Sequence, residues 1–114
     1  MSNSYRSKKV ASLLKEIISE IILYELKDPI FKNFISLTEV TIGSDLKKAT
    51  IYFRAYGKEN EEIEKALNKA KGYIKKLLGQ KITLKFIPDI EFKIDLREEK
   101  EKELEELLAK ISKS

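Results

Sequence analysis

Seven lysines, Lys65, Lys69, Lys71, Lys75, Lys76, Lys81 and Lys85, fall in a window that contains no acid. The chemistry such a window offers is electrostatic: clustered ammonium groups neutralise phosphates or meet an acidic protein. Among them stands Gly72, in the stretch NKAKGYIKK at 68 to 76, where a helix would be more stable by about 1 kcal/mol with alanine. Side chains for covalent or general-base chemistry are scarce. The chain has no cysteine and no histidine, which removes disulfides, thiolates, imidazole bases and the usual zinc ligand sets. Asp28, Asp45, Asp89 and Asp95 could serve a hydrolase, but each sits at an element end without a paired motif, so turn and cap roles account for them better. No catalytic residue, metal or cofactor is expected.

The background against which the lysines stand out is nearly balanced. Net charge is only +4, and residues 97 to 114 carry six glutamates against five basic residues. A solvated lysine face kept for solubility is the competing reading. The basic residues are 20 lysines and three arginines, with one methionine and one glutamine, a bias seen in proteins of hot sources and equally in AT-rich genomes. At 114 residues with 42% apolar content, the chain suits one core and one domain. No apolar run reaches the length of a bilayer span, and the N-terminus lacks a secretory pattern, so a cytoplasmic, monomeric protein without a membrane partner is expected.

The elements that must position these residues follow from periodicity. From Tyr5 to Lys27, Val10, Leu13, Leu14, Ile17, Ile18, Ile21 and Ile22 recur at helical spacing, and Asp28-Pro29 ends the pattern. Phe34 to Gly43 is β-branched, with a phase change between Leu37 and Val40 that suggests a bulge. After the turn residues Gly43 to Leu46, Lys48 to Tyr56 alternates cleanly, completing a hairpin. Ile63, Ala66, Leu67, Ala70, Ile74, Leu77 and Leu78 define a second helix, 61 to 78, with Gly79 as a left-handed C-terminal residue. Ile82, Leu84, Phe86, Ile90, Phe92 and Ile94 share the even positions of one long strand, bent at Pro88-Asp89 and on the sheet edge. Asp95 and Glu98 have the spacing of a helix-start box, and Leu104, Leu107, Leu108 and Ile111 stripe a last helix. The expected fold is α+β in two layers, α-β-β-α-β plus a C-terminal helix, with a three-stranded mixed sheet in order 1-2-3. Its core spans about 5 to 95, and the last helix about 96 to 112.

On the second helix, Lys65, Lys69 and Lys76 lie on the arc opposite the apolar residues, and Gly72 falls among them. A packing role for the glycine is thereby removed. It either breaks the helix or leaves bare backbone for a phosphate to approach, and a break would do both by exposing N–H groups at a new helix start.

Several stretches, taken in order, resemble ribosome-binding factor A: Glu25-Leu26-Lys27-Asp28-Pro29 closing a long helix, Ser44 to Tyr52 entering the second strand, Ala70-Lys71-Gly72, and Pro88 to Asp95. The resemblance runs from about Tyr5 to Ile111. It implies a type II KH-like RNA-binding domain whose Gly-x-x-Gly loop is replaced by an interrupted helix carrying Ala-x-Gly, matched by Ala70-Lys71-Gly72. It also implies a non-enzymatic factor that binds the immature 30S subunit, assists late 16S rRNA maturation near the 5′ end, matters most in the cold, and is linked functionally to assembly GTPases. Where the family commonly has arginine after Asp-Pro, this chain has Ile30.

The expected RNA contacts are Lys69, Ala70, Lys71, Gly72, Lys75 and Lys76 on the interrupted helix, with Lys81 and Lys85 nearby. Arg6, Lys8 and Lys9 at the N-terminus and Lys47 and Lys48 at the hairpin complete the set. Tyr52, Tyr56 and Tyr73 are candidates for base stacking. The alternative is a protein-interaction module whose lysines meet an acidic partner, with any RNA association indirect.

Overall fold

A computed structural model describes residues 2–32, 34–57 and 60–112, with side chains from Tyr5 onward. Helix α1 runs Ser2–Tyr24 and is followed by a 3-10 turn, Pro29–Lys32. Strands β1, Ile35–Ile42, and β2, Lys48–Ala55, form a hairpin. Helices α2, Asn60–Lys69, and α3, Lys71–Lys81, lead to β3, Asp89–Ile94, and α4, Arg97–Ser112, ends the described chain.

The sheet has order β1-β2-β3, antiparallel on one side and parallel on the other, as the order of elements required. The expected phase change in β1 is a bulge: Leu37 opposes Phe53 and Glu39 opposes Tyr52, leaving Thr38 without a partner in the register. Leu37 and Val40 are buried on either side of it. One apolar layer joins Leu14, Ile18 and Ile21 of α1 to Ile51, Phe53 and Phe92 of the sheet, and Ile63, Leu67, Ile74 and Leu78 of α2 and α3 close it. Leu13, counted with the apolar face of α1, is exposed at its margin.

Four local expectations are corrected by packing. Helix α1 stops at Tyr24 rather than running to Lys27, because the Asp28 carboxylate accepts the Ile30 N–H at 3.0 Å and builds the 3-10 turn, while Leu26 leaves the helix to pack on the core. The third strand begins at Asp89, not Ile82. Its partner β2 begins at Lys48, which pairs with Asp89, so residues 82 to 88 have no strand to ladder with; Ile87 turns inward against the core and Phe86 turns out. Gly79 is an ordinary residue of α3, which continues to Lys81 and ends on the extended Ile82. Asp95 lies two residues before α4 and accepts the Arg97 N–H at 3.0 Å, so the box with Glu98 does not form.

The free edge of β3 is closed by side chains of α2. Asn68 accepts the Phe92 N–H at 2.9 Å and donates to the Phe92 carbonyl at 3.0 Å, reproducing a strand partner in one amide, and Glu64 accepts the Ile94 N–H at 2.8 Å. An unpaired edge invites another chain; here the same bonds also fix where α2 ends relative to the start of β3.

Candidate nucleic-acid interface

Helix α2 lies along β3, while α3 reaches α1, and Lys81 faces Glu25, just past the end of α1, at 3.9 Å. The chain changes direction between them at Ala70, whose φ of −85° and ψ of −2° lie at the margin of the right-handed helical region. The Ala70 N–H is shared between the carbonyls of Ala66 and Leu67, and its own carbonyl starts the next ladder by accepting from Ile74. The first N–H groups of α3, those of Lys71, Gly72 and Tyr73, precede that ladder, and alanine has no side chain to cap them.

The break is therefore at Ala70, and Gly72 is the second residue of the new helix, which corrects the expectation that the glycine itself interrupts it. Gly72 has no positive φ and a Cβ there would meet nothing within 4 Å. Neither backbone nor packing requires glycine. What its absence of a side chain leaves is open room above the first turn of α3.

That room is a groove between the break and the start of β2 and β3. Lys71, Gly72 and Lys75 form one wall and Lys48, Thr50 and Asp89 the other, with Asn68 and Glu91 at its margin. Three ammonium groups thus face two carboxylates. Lys75 is paired with Asp89, and this hydrogen bond, with the charges of Lys75, Lys48 and Lys71, holds the Asp89 carboxyl below its ordinary range. Asp89 remains 70% exposed, so the pair is screened by water and separable. A helix start without a side-chain cap, flanked by lysines, has the polarity that suits an anion.

The expected site residues separate into groups. Lys48, Lys71, Gly72 and Lys75 meet in this groove, and Ala70 is the break itself, packed partly on the core. Lys69 and Lys76 are exposed on the helices but line no part of it. Arg6, Lys47 and Lys85 line a second groove beside the hairpin tip. Lys9 stands 6.0 Å from the ring of Tyr5 on α1, where Lys8 is also exposed. Ile30 packs against the core. Of the tyrosines, Tyr52 is half-buried, Tyr73 is exposed after Gly72, and Tyr56 rests against Phe34 with ring centroids 5.4 Å apart. Thr50 and Glu91 escaped the sequence reading because only the pairing of β2 with β3 and the packing of that pair beside α3 bring them to the groove, and Asn68 because its amide's bonds to Phe92 span the fold.

Residues 6–108 match the family model for ribosome-binding factor A. The chain belongs to the ribosome-binding factor A family. A family member from Halothermothrix orenii is 41% identical over 108 residues, covering 93% of this chain and 88% of that one. The crystal structure of ribosome-binding factor A from Thermus thermophilus superposes with a TM-score of 0.71 at 23% identity, covering 77% of this chain and 93% of that one. A homology model of the Thermus thermophilus factor, fitted into a cryo-EM map of a 30S complex of that factor, gives 0.64 at 24% identity over 75% of this chain and 90% of that one. The helix, hairpin, broken helix and parallel third strand are the KH-like fold of these ribosome-binding factor A structures, with Ala70-Lys71-Gly72 at the break.

Proposed function

We propose that this protein binds 16S rRNA on the immature small ribosomal subunit through the groove at the α2 to α3 break. It acts there as a non-enzymatic assembly factor in late maturation near the 5′ end, with the greatest demand in the cold. A functional link to assembly GTPases and action as a cytoplasmic monomer belong to the same reading. The observation that carries it is the convergence of Lys48, Lys71 and Lys75 on a bare glycine at an uncapped helix start.

A phosphate entering above Gly72 accepts hydrogen bonds from the first N–H groups of α3 and displaces Asp89 from Lys75, exchanging one exposed ion pair for charge-assisted bonds to its two non-bridging oxygens. These contacts position the domain without reading sequence, and each lysine engaged steepens the salt dependence. Proximity to a particular rRNA segment then comes from shape, and the factor's work is to hold that segment while the rest of the subunit closes.

The test is filter binding of purified protein to 16S rRNA fragments across a salt series, followed by crosslinking on assembling subunits. Binding that falls steeply with salt, with crosslinks at the start of α3, is the expected result. Folded protein that binds no fragment at low salt would overturn direct recognition and favour an acidic protein partner.

A further inference from the structure

The second groove carries a feature that phosphate binding does not use. Between Lys81 and Asp89 the chain has no strand partner; Ile82, Leu84 and Ile87 pack on the core and Pro88 is buried, while Phe86 is left 74% exposed. The even spacing of Ile82, Leu84 and Phe86 had placed this ring in the core. Instead it borders a groove with Arg6 of α1 and Lys47 of the hairpin. The Lys85 ammonium lies 5.7 Å from the ring centroid.

The surface is held in place. Leu46 adopts a φ of 60°, a conformation that costs a branched residue about 1 kcal/mol or more, and its side chain packs on the core while its N–H bonds to the Gly43 carbonyl at 2.9 Å. Asp45 is the carboxylate in the groove, and its oxygen accepts the Lys47 N–H at 3.0 Å, so it belongs to the turn. The Lys47 carbonyl accepts from Asp89 at 2.9 Å. Consecutive residues of the hairpin therefore serve two surfaces: Lys47 faces Phe86 and Lys48 enters the groove at Gly72.

We infer that Phe86 is a stacking platform for an unpaired RNA base, with Arg6, Lys47 and Lys85 holding the flanking phosphates, in a contact surface that continues from the helix-break groove around the hairpin. This rests on the RNA-binding reading above. Three cations against one turn-bound carboxylate select a polyanion, and an exposed aromatic face beside them selects one that can present a flat base. A duplex keeps its base faces stacked, so the ligand at this surface is single-stranded. Stacking tolerates any base, so the surface supplies affinity for an open segment rather than sequence choice.

The full chain lacks tryptophan, so Phe86→Trp creates a single reporter that keeps a stacking ring. Its fluorescence is expected to quench on titration with a 12-mer of uridine or adenosine, and much less with a 12-base-pair RNA duplex. Phe86→Leu, which keeps apolar area without the ring, is expected to weaken binding to the single strand about tenfold, with Phe86→Trp restoring it. Thermal melts establish that each variant is folded. Wild-type affinity in folded Phe86→Leu, an unquenched tryptophan at saturating single strand, or equal quenching by polyglutamate would overturn the stacking role while leaving phosphate binding at Gly72 standing. A wild-type protein that binds neither single strand nor duplex would overturn both.

Discussion

The two aspartates that flank β3 have the same residue type, both carry lowered carboxyl pKa values, and they do opposite things. Asp89, at the start, is exposed and outnumbered by Lys48, Lys71 and Lys75. Asp95, just past the end, is 3% exposed and closed: Arg97 donates to both its oxygens and Thr38, the bulged residue, donates at 2.6 Å. Arg97 also reaches Glu39 at 3.3 Å. Hydrogen bonds from Arg97, with those of Thr38 opposing the cost of burial, hold Asp95 well below the usual carboxylate range. One end of the sheet leaves cations over; the other, where Asp95 is held by Arg97 and Thr38, fastens β1, β3 and the start of α4.

That fastening matters because α4 buries none of its residues. Leu104, Leu107, Leu108 and Ile111, the apolar stripe of this helix, are all exposed. The helix is held at its first turn by polar contacts, Asp95 with Arg97 and Arg54 with Glu98 at 2.7 Å.

The contrast can be broken from either end. Lys71→Glu with Lys75→Glu reverses the open cluster and is expected to reduce RNA affinity about a hundredfold, flattening the salt slope by roughly two units, with an unchanged melting temperature. Asp95→Asn attacks the closed cluster: about 2 kcal/mol of stability is expected to go, a Tm fall on the order of 10 °C, with RNA affinity of the folded protein unaltered. The sign with pH follows from the lowered carboxyl. Its contribution is complete above the unfolded carboxylate value, about 3.9, and is lost as pH falls below it. The stability difference between wild type and Asp95→Asn should therefore be constant above about pH 5 and narrow steadily as pH falls below about 4 toward the lowered value of the folded state, as denaturant titrations at each pH will read.

Asp89→Asn sharpens the comparison at the open end. It frees Lys75 for phosphate and is expected to raise RNA affinity a few-fold while the melting temperature stays unchanged, because the pair is exposed and screened by water; a large loss of stability would show that the two ends are alike after all. Smallest is Gly72→Ala. The new methyl meets no neighbour and the helix gains by up to about 1 kcal/mol, so the Tm should rise by a few degrees while RNA binding falls slightly. Unchanged binding would mean that no phosphate approaches the backbone there.

Much of this was legible in the chain. Period-2 alternation from Lys48 to Tyr56 is the signature of a half-buried strand, the Leu37 to Val40 phase change matches the bulge at Thr38, and the acid-free lysine window with Gly72 marks the helix whose break borders the groove. Local pattern determines these because side-chain direction repeats every two or about 3.6 residues. What failed did so for want of partners: residues 82 to 88 alternate like a strand, yet β2 has no residue left to pair with them.

The sequence by itself thus determined the elements, their order, the apolar face of each and the excess of positive charge around Gly72. The tertiary structure decided which lysines stand together. Lys69 and Lys76 are neighbours of Gly72 in sequence and line no part of its groove, whereas Lys48, more than twenty residues away, stands beside it because Lys48 pairs with Asp89 and Lys75 bonds to Asp89. Charge is a property of residues, but a binding site is a property of distances, and those were set by Asn68 and Glu64 closing the edge of β3 and by the turn of the chain at Ala70.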